Sequence, residues 1–152
     1  AAAEGVGEYR ASRFVVRRTL AFCYCGAFLS LAAQAEGLFG CDGPWPAKAG
    51  SVLARLPGGL PASAALTAAG LLGGAVSGAA FVAPQALERN AVAVFTLLWV
   101  LFACSTHAAP GRVFQALEDR LLLEVGLVAV PLLMGPGDAT SGVGRSLAAW
   151  LL

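Results

Sequence analysis

ASAALTAAGLLGGAVSGAAFVA (Ala62–Ala83) contains no charged side chain, and its reading decides the fold. It sits inside a longer uncharged run, Leu56–Leu87, in which Pro61 and Pro84 mark the ends of one helix. A membrane helix needs roughly 17–25 mostly apolar residues, and this run supplies them. Three further stretches repeat the pattern. Thr19–Ala35 has no charge, Ala91–Ala109 has His107 as its one titratable side chain of note, and Leu121–Met134 is shorter and carries Glu124. Of the 152 residues 58% are hydrophobic and 12% charged, with a mean hydropathy of +0.74, whereas soluble domains are about a quarter charged. The expected fold is all-α: a polytopic transmembrane helix bundle of about four spans plus a short interfacial helix near Val113–Arg120.

The chain divides accordingly. Residues 1–12 read as a polar N-terminal arm, 13–134 as the transmembrane helical domain, and 135–152 as a C-terminal segment. In that segment Gly135, Pro136 and Gly137 break the chain before a further helix starts at Ser146–Leu152. No stretch is left for a soluble domain. With four spans, six Arg (Arg10, Arg13, Arg17, Arg18, Arg89 and Arg145) share the side of the N-terminus, while Lys48, Arg55, Arg112 and Arg120 lie opposite. That bias puts the N-terminus on the cytosol-like side. Nine Arg stand against one Lys, one Asn and no Ile. The scarce residues are those with AT-rich codons, which points to a GC-rich genome, as in many algae, protists and bacteria. The start Ala1-Ala2-Ala3-Glu4 is what removal of a targeting peptide leaves.

Gly70, Gly74 and Gly78 recur every fourth residue and form a flat stripe on one helix face, the device by which membrane helices approach closely. Their partner is either another span of this chain or a neighbouring subunit. Glu124 has Arg120 four residues earlier on the same face. Alternatively it joins Gln34, Asp42, His107 and Asp119, which the topology places near the trans face, in one polar cluster. His107 ends an apolar span. It reads as a hydrogen-bonded packing residue, or as the axial ligand of a chlorophyll magnesium if the membrane bears pigment. Cys23 and Cys25 point to different helix faces and cannot bridge. A Cys41–Cys104 disulfide stays open, since both fall toward the trans side. No nucleophile–base pair or zinc-spaced Cys/His set occurs, and GLFGCDG lacks the context of a phosphate loop, so no enzyme and no metal site are expected.

Two motifs resemble the lipase maturation factor family. In LAFCYCGAFLSLAAQAEGLFGCDGPWPA (Leu20–Ala47), a first span ends in Gln34 and a loop follows with Gly37, Leu38, Gly40, Gly43, Pro46 and Ala47 in the pattern G-L-x-G-x-x-G-x-x-P-A. In DRLLLEVG (Asp119–Gly126), residues Asp119, Leu121, Leu122, Leu123, Glu124 and Gly126 stand in the pattern D-x-L-L-L-E-x-G, preceded by Phe114-Gln115. The resemblance covers roughly residues 13–134. It implies a polytopic protein of the endoplasmic reticulum membrane that assists the folding of secreted lipases, in a family whose members run longer and end in a luminal domain. It also marks Gln34, Asp119, Arg120 and Glu124 as the polar residues of the motifs; if Gln34 or the Gly40–Ala47 loop backbone donates to Glu124, the two motifs form one lock holding spans one and four together.

Two functional readings follow. One is a non-catalytic accessory subunit of a larger membrane complex, photosynthetic or respiratory, in a thylakoid or mitochondrial inner membrane of an alga or protist. Its partners are other integral membrane subunits and lipids, with chlorophyll or carotenoid contacts if the host is a photosystem. The other is an endoplasmic reticulum membrane chaperone for lipases. Neither involves nucleic acid.

Overall fold

The computed structural model describes residues 2–40, 42–44, 61–83, 90–108 and 117–133, with the backbone alone at 2–13, 62, 108, 117–119 and 130–133. Four helices account for nearly all of them: α1 (Ala2–Phe39), α2 (Ala62–Val82), α3 (Ala91–Ala108) and α4 (Leu117–Leu133). The described residues contain no strand. In α1 the stretch Phe14–Phe39, and in α2 Ser63–Val82, are long and apolar enough to cross a membrane, and α3 is a shorter apolar helix over Ala91–His107.

The ends of these helices follow from their sequence. Pro61 caps α2 at φ −60° and ψ 141°, a position where its missing N–H costs nothing. At the other end Pro84 bars the preceding residue from helical geometry, and Ala83 turns out at φ −123° and ψ 62° while its N–H still donates to the Ala79 carbonyl. The polar arm of residues 2–12 is helical and continuous with the first span. Of the expected interfacial helix, residues 113–116 lie outside the described residues, and Leu117–Arg120 is the first turn of α4, not a separate element. The 135–152 segment also lies outside them.

Each of the first three helices buries a row spaced alternately three and four residues apart. The rows are Ala21, Tyr24, Phe28, Leu31 and Ala35 in α1; Leu66, Gly70, Gly73, Ser77 and Ala80 in α2; and Ala91, Phe95, Leu98, Phe102 and Ser105 in α3. A mean repeat of 3.5 is the spacing of helices packed side by side in a left-handed bundle. The outward sides also carry large apolar side chains, with Phe22, Leu29, Leu71, Leu72, Leu97 and Val100 exposed, as suits a lipid-facing surface.

Among the described helices the α1–α2 contact is the most extensive, and glycine makes it so. An added Cβ at Gly70 would lie 2.8 Å from the Ala32 nitrogen and the Phe28 carbonyl oxygen, and one at Gly73 would lie 2.5 Å from the Phe28 ring. Gly74 faces Leu29, and Gly78 faces Cys25 at 3.8 Å. The two helices therefore run antiparallel with their backbones close together. At the far end of this pair the Arg18 guanidinium lies over the rings of Phe81 (4.9 Å) and Phe14 (5.7 Å), and Phe22 packs on Phe81 at 5.7 Å. A guanidinium stacked on aromatic faces suits the edge of a membrane.

Gly70→Ala should loosen the α1–α2 contact, since overpacking a tight interface costs about 1–3 kcal/mol. Gly78→Ala, whose Cβ would make an ordinary contact with Cys25 Sγ at 3.8 Å, should be neutral or slightly stabilising. Thermal unfolding of the two variants in detergent checks this. Equal midpoints would mean that the close approach at Gly70 does not hold the pair.

Candidate functional site

The polar groups of this bundle are mostly consumed within their own helices. Ser77 Oγ donates to the Gly73 carbonyl (2.6 Å), Thr96 to Val92 (2.7 Å), Ser105 to Leu101 (2.8 Å) and Thr106 to Ala103 (2.9 Å). Contacts between helices include two of these polar groups. The Cys25 thiol lies 3.8 Å from the Gly74 carbonyl, and the Trp99 indole N–H donates to the Leu123 carbonyl at 2.8 Å.

The second of these belongs to a junction of α1, α3 and α4. Tyr24 is fully buried, its ring 6.1 Å from both Phe28 and Phe102, which themselves meet edge-on at 5.7 Å. Its hydroxyl reaches α4 at Gly126, where an added Cβ would collide with the Tyr24 oxygen and lie 2.8 Å from Trp99. That hydroxyl is buried with no hydrogen-bond partner among the described residues. Gly126, the last residue of the LLLEVG motif, is thus required because two aromatic side chains converge on its backbone.

These contacts fix the depth of Glu124. Trp99 stands at the middle of α3 (Ala91–Ala108) and binds the residue just before Glu124. Tyr24 stands well inside the apolar stretch Phe14–Phe39 and meets Gly126, two residues on. Glu124 is therefore level with the middle of the bundle, not at the trans face where the topology alone had set it. It is also exposed, as is Arg120, and no ion pair joins the two among the described residues. A charge at the centre of a membrane helix costs roughly 2.5–3.5 kcal/mol on insertion scales.

The expected lock between the two motifs is not what ties α1 to α4. Gln34 is exposed and its Nε2 donates to Ser30 Oγ at 3.2 Å. It lies nearly three turns of α1, about 15 Å, from Tyr24, which meets α4 at Gly126. The described part of the glycine loop, Gly40 and residues 42–44, instead folds back on its own helix. The Gly40 N–H donates to the Glu36 carbonyl at 2.9 Å and the Gly43 N–H to the Gly40 carbonyl at 3.0 Å. A Cβ at Gly43 would sit 2.5 Å from the Leu38 carbonyl oxygen, and one at Gly40 would strike the Glu36 carbonyl. Those two glycines let the chain turn tightly over the end of α1.

The other candidates are placed as follows. Gly70, Gly74 and Gly78 face α1. Asp42 is exposed, and of Asp119 only the backbone is described. His107 is exposed at the end of α3 with Nδ1 2.9 Å from the Ala103 carbonyl. A carbonyl only accepts, so Nδ1 donates in this contact. Cys104 is a free thiol, and Cys41 lies outside the described residues. Among the described residues no three His, Cys, Asp or Glu gather as metal ligands would. Sequence reasoning missed Gly73, Tyr24 and Trp99, and gave Gly126 as a motif position without the residues that meet it. The buried spacing Leu66–Gly70–Gly73–Ser77 holds a signal for the first. Nothing in the sequence pairs the other three.

Tyr24→Phe should be neutral or stabilising, because an unpaired buried hydroxyl costs about 1–3 kcal/mol. Gly126→Ala should destabilise, and part of that loss should be recovered in the Tyr24→Phe, Gly126→Ala double variant. Unfolding midpoints of the four proteins give the coupling. Strict additivity would show that the Tyr24–Gly126 contact carries no energy.

Comparison with known families gives a match to the lipase maturation factor transmembrane domain over residues 11–152, including the stretch after Met134 in which neither motif lies. No curated protein and no solved structure matches the chain. With only its first ten residues outside the match, the chain belongs to the lipase maturation factor family and represents its transmembrane domain.

Proposed function

We propose that this chain is the non-catalytic membrane module of a lipase maturation factor, seated in the endoplasmic reticulum membrane and supporting the folding of secreted lipases there. The observation that carries the reading is the family match over residues 11–152, with both motifs built into the bundle. Gly40 and Gly43 shape the loop after α1, and Gly126 seats α4 against Tyr24 and Trp99.

All four helices cross the bilayer in this reading. The shorter two come near the required length: α3 has 18 residues and α4 has 17, about 27 Å and 26 Å of helix at 1.5 Å per residue, against a hydrocarbon core near 30 Å. The lateral contact of Trp99 with Leu123 keeps these two helices level with each other. The hydroxyls of Ser77, Thr96, Ser105 and Thr106 are spent on helix-internal bonds, as suits a scaffold that positions other segments.

The alternative, an accessory subunit of a photosynthetic or respiratory complex with His107 as a chlorophyll ligand, rests on composition and on the exposure of that histidine at the end of α3. The fold and the family match add nothing to it. The two readings separate by location. The tagged chain should co-fractionate with endoplasmic reticulum markers in its source cells, and its depletion should lower the specific activity of secreted lipase while leaving lipase synthesis unchanged. Recovery in thylakoid or mitochondrial membranes, with lipase activity intact, would overturn the proposal.

A further inference from the structure

The family signature divides across α4. Gly126 and Ala129 are buried, and Leu122 and Leu123 are packed against the core. Leu121, Glu124, Val125, Leu127 and Val128 are exposed, on the side of the helix turned away from Tyr24 and Trp99. The carboxylate of the signature therefore does not serve the described bundle. It stands in the middle of an outward apolar face, at the depth fixed by the Trp99–Leu123 hydrogen bond and the Tyr24–Gly126 contact.

We propose that this face is a docking surface for a further transmembrane helix, one that brings a basic side chain to Glu124. Charge complementarity identifies the occupant. Lipid tails offer a carboxylate neither a donor nor a counter-charge, and ionisable residues within membrane spans face protein and pair. An arginine or lysine on an apposed helix supplies both, and an arginine does so with two parallel hydrogen bonds. The flanking residues fit a helix as well. Leu121, Val125 and Val128 are spaced four and three apart, which makes a seam for a second helix lying along α4. Within the described chain nothing fills this role. Arg120 is exposed one turn earlier and makes no ion pair with Glu124, and His107 is bonded to its own helix through Nδ1. A helix carrying one intramembrane cation is itself costly to insert, so each partner neutralises the charge of the other, and the contact selects such helices over purely apolar ones.

This inference rests on the reading that α4 spans the bilayer, and the experiment separates the two. The full chain, donor-labelled, is reconstituted in phosphatidylcholine bilayers. Acceptor-labelled Leu/Ala helical peptides of about 24 residues are added, carrying either Arg or Leu at the centre. Energy transfer should report roughly tenfold tighter association of the Arg peptide, the scale of a good interhelical polar contact. Glu124→Gln should abolish the preference, whereas Glu124→Asp, which keeps the charge, and Leu72→Ala, on the exposed face of α2, should retain it. Equal binding of the two peptides, or a preference that persists in Glu124→Gln, overturns the proposal. In parallel, Glu124→Cys in a chain with its other cysteines replaced by alanine is exposed to a membrane-impermeant maleimide. Labelling at that position overturns the spanning reading and the docking proposal together. Protection without any Arg preference removes the docking proposal alone.

Discussion

The structure depends on how closely α1 and α2 approach, and that approach is set by what the Phe28 ring and backbone meet. Gly73 offers the ring a backbone with no side chain, while Gly70 gives way to the Phe28 carbonyl and to Ala32. Within lipid no hydrophobic effect drives helices together, so dispersion between closely packed surfaces must carry association. A glycine-lined face meeting a fully buried aromatic ring gives a large contact area at short range. Because Phe28 also packs edge-on against Phe102, the same ring joins the α1–α2 pair to α3.

From that anchor the rest of the bundle is added in order. Tyr24, one turn from Phe28, carries the aromatic layer toward Phe102 and Gly126. Trp99 closes the layer by donating its indole N–H to the α4 backbone. The result is a three-helix junction in which side chains of α1 and α3 hold α4 through its main chain. Main-chain recognition explains why the signature needs glycine at 126 while leaving its neighbours free to face outward.

The two family motifs thus do different work from a direct bridge. The glycine loop finishes α1: Gly40 and Gly43 allow the chain to fold over the last carbonyls of the helix. The leucine-rich motif is two-sided. Its inner side fits the aromatic junction and its outer side presents a carboxylate at mid-bundle depth. Gln34 stands apart from both, bonded to Ser30 on its own helix.

The sequence by itself determined the helical class and the rough extents of the elements, because an uncharged run of membrane-spanning length has few other solutions. Pro61 and Pro84 bounded α2 correctly, since proline acts locally on the backbone. The sequence also determined the family, through two motifs whose spacing is readable without coordinates. It did not determine which faces meet. A helix that is apolar all round gives no amphipathic signal, so periodicity could not tell the buried row of α3 from its exposed side. It could not show that Gly73 lies under Phe28, nor that Gly126 lies under Tyr24 and Trp99, because each pairing joins residues far apart in the chain. Only the tertiary structure set the depth and direction of Glu124. Depth depended on which turn of α3 lies beside which turn of α4, and direction on which side of α4 the aromatic junction occupies.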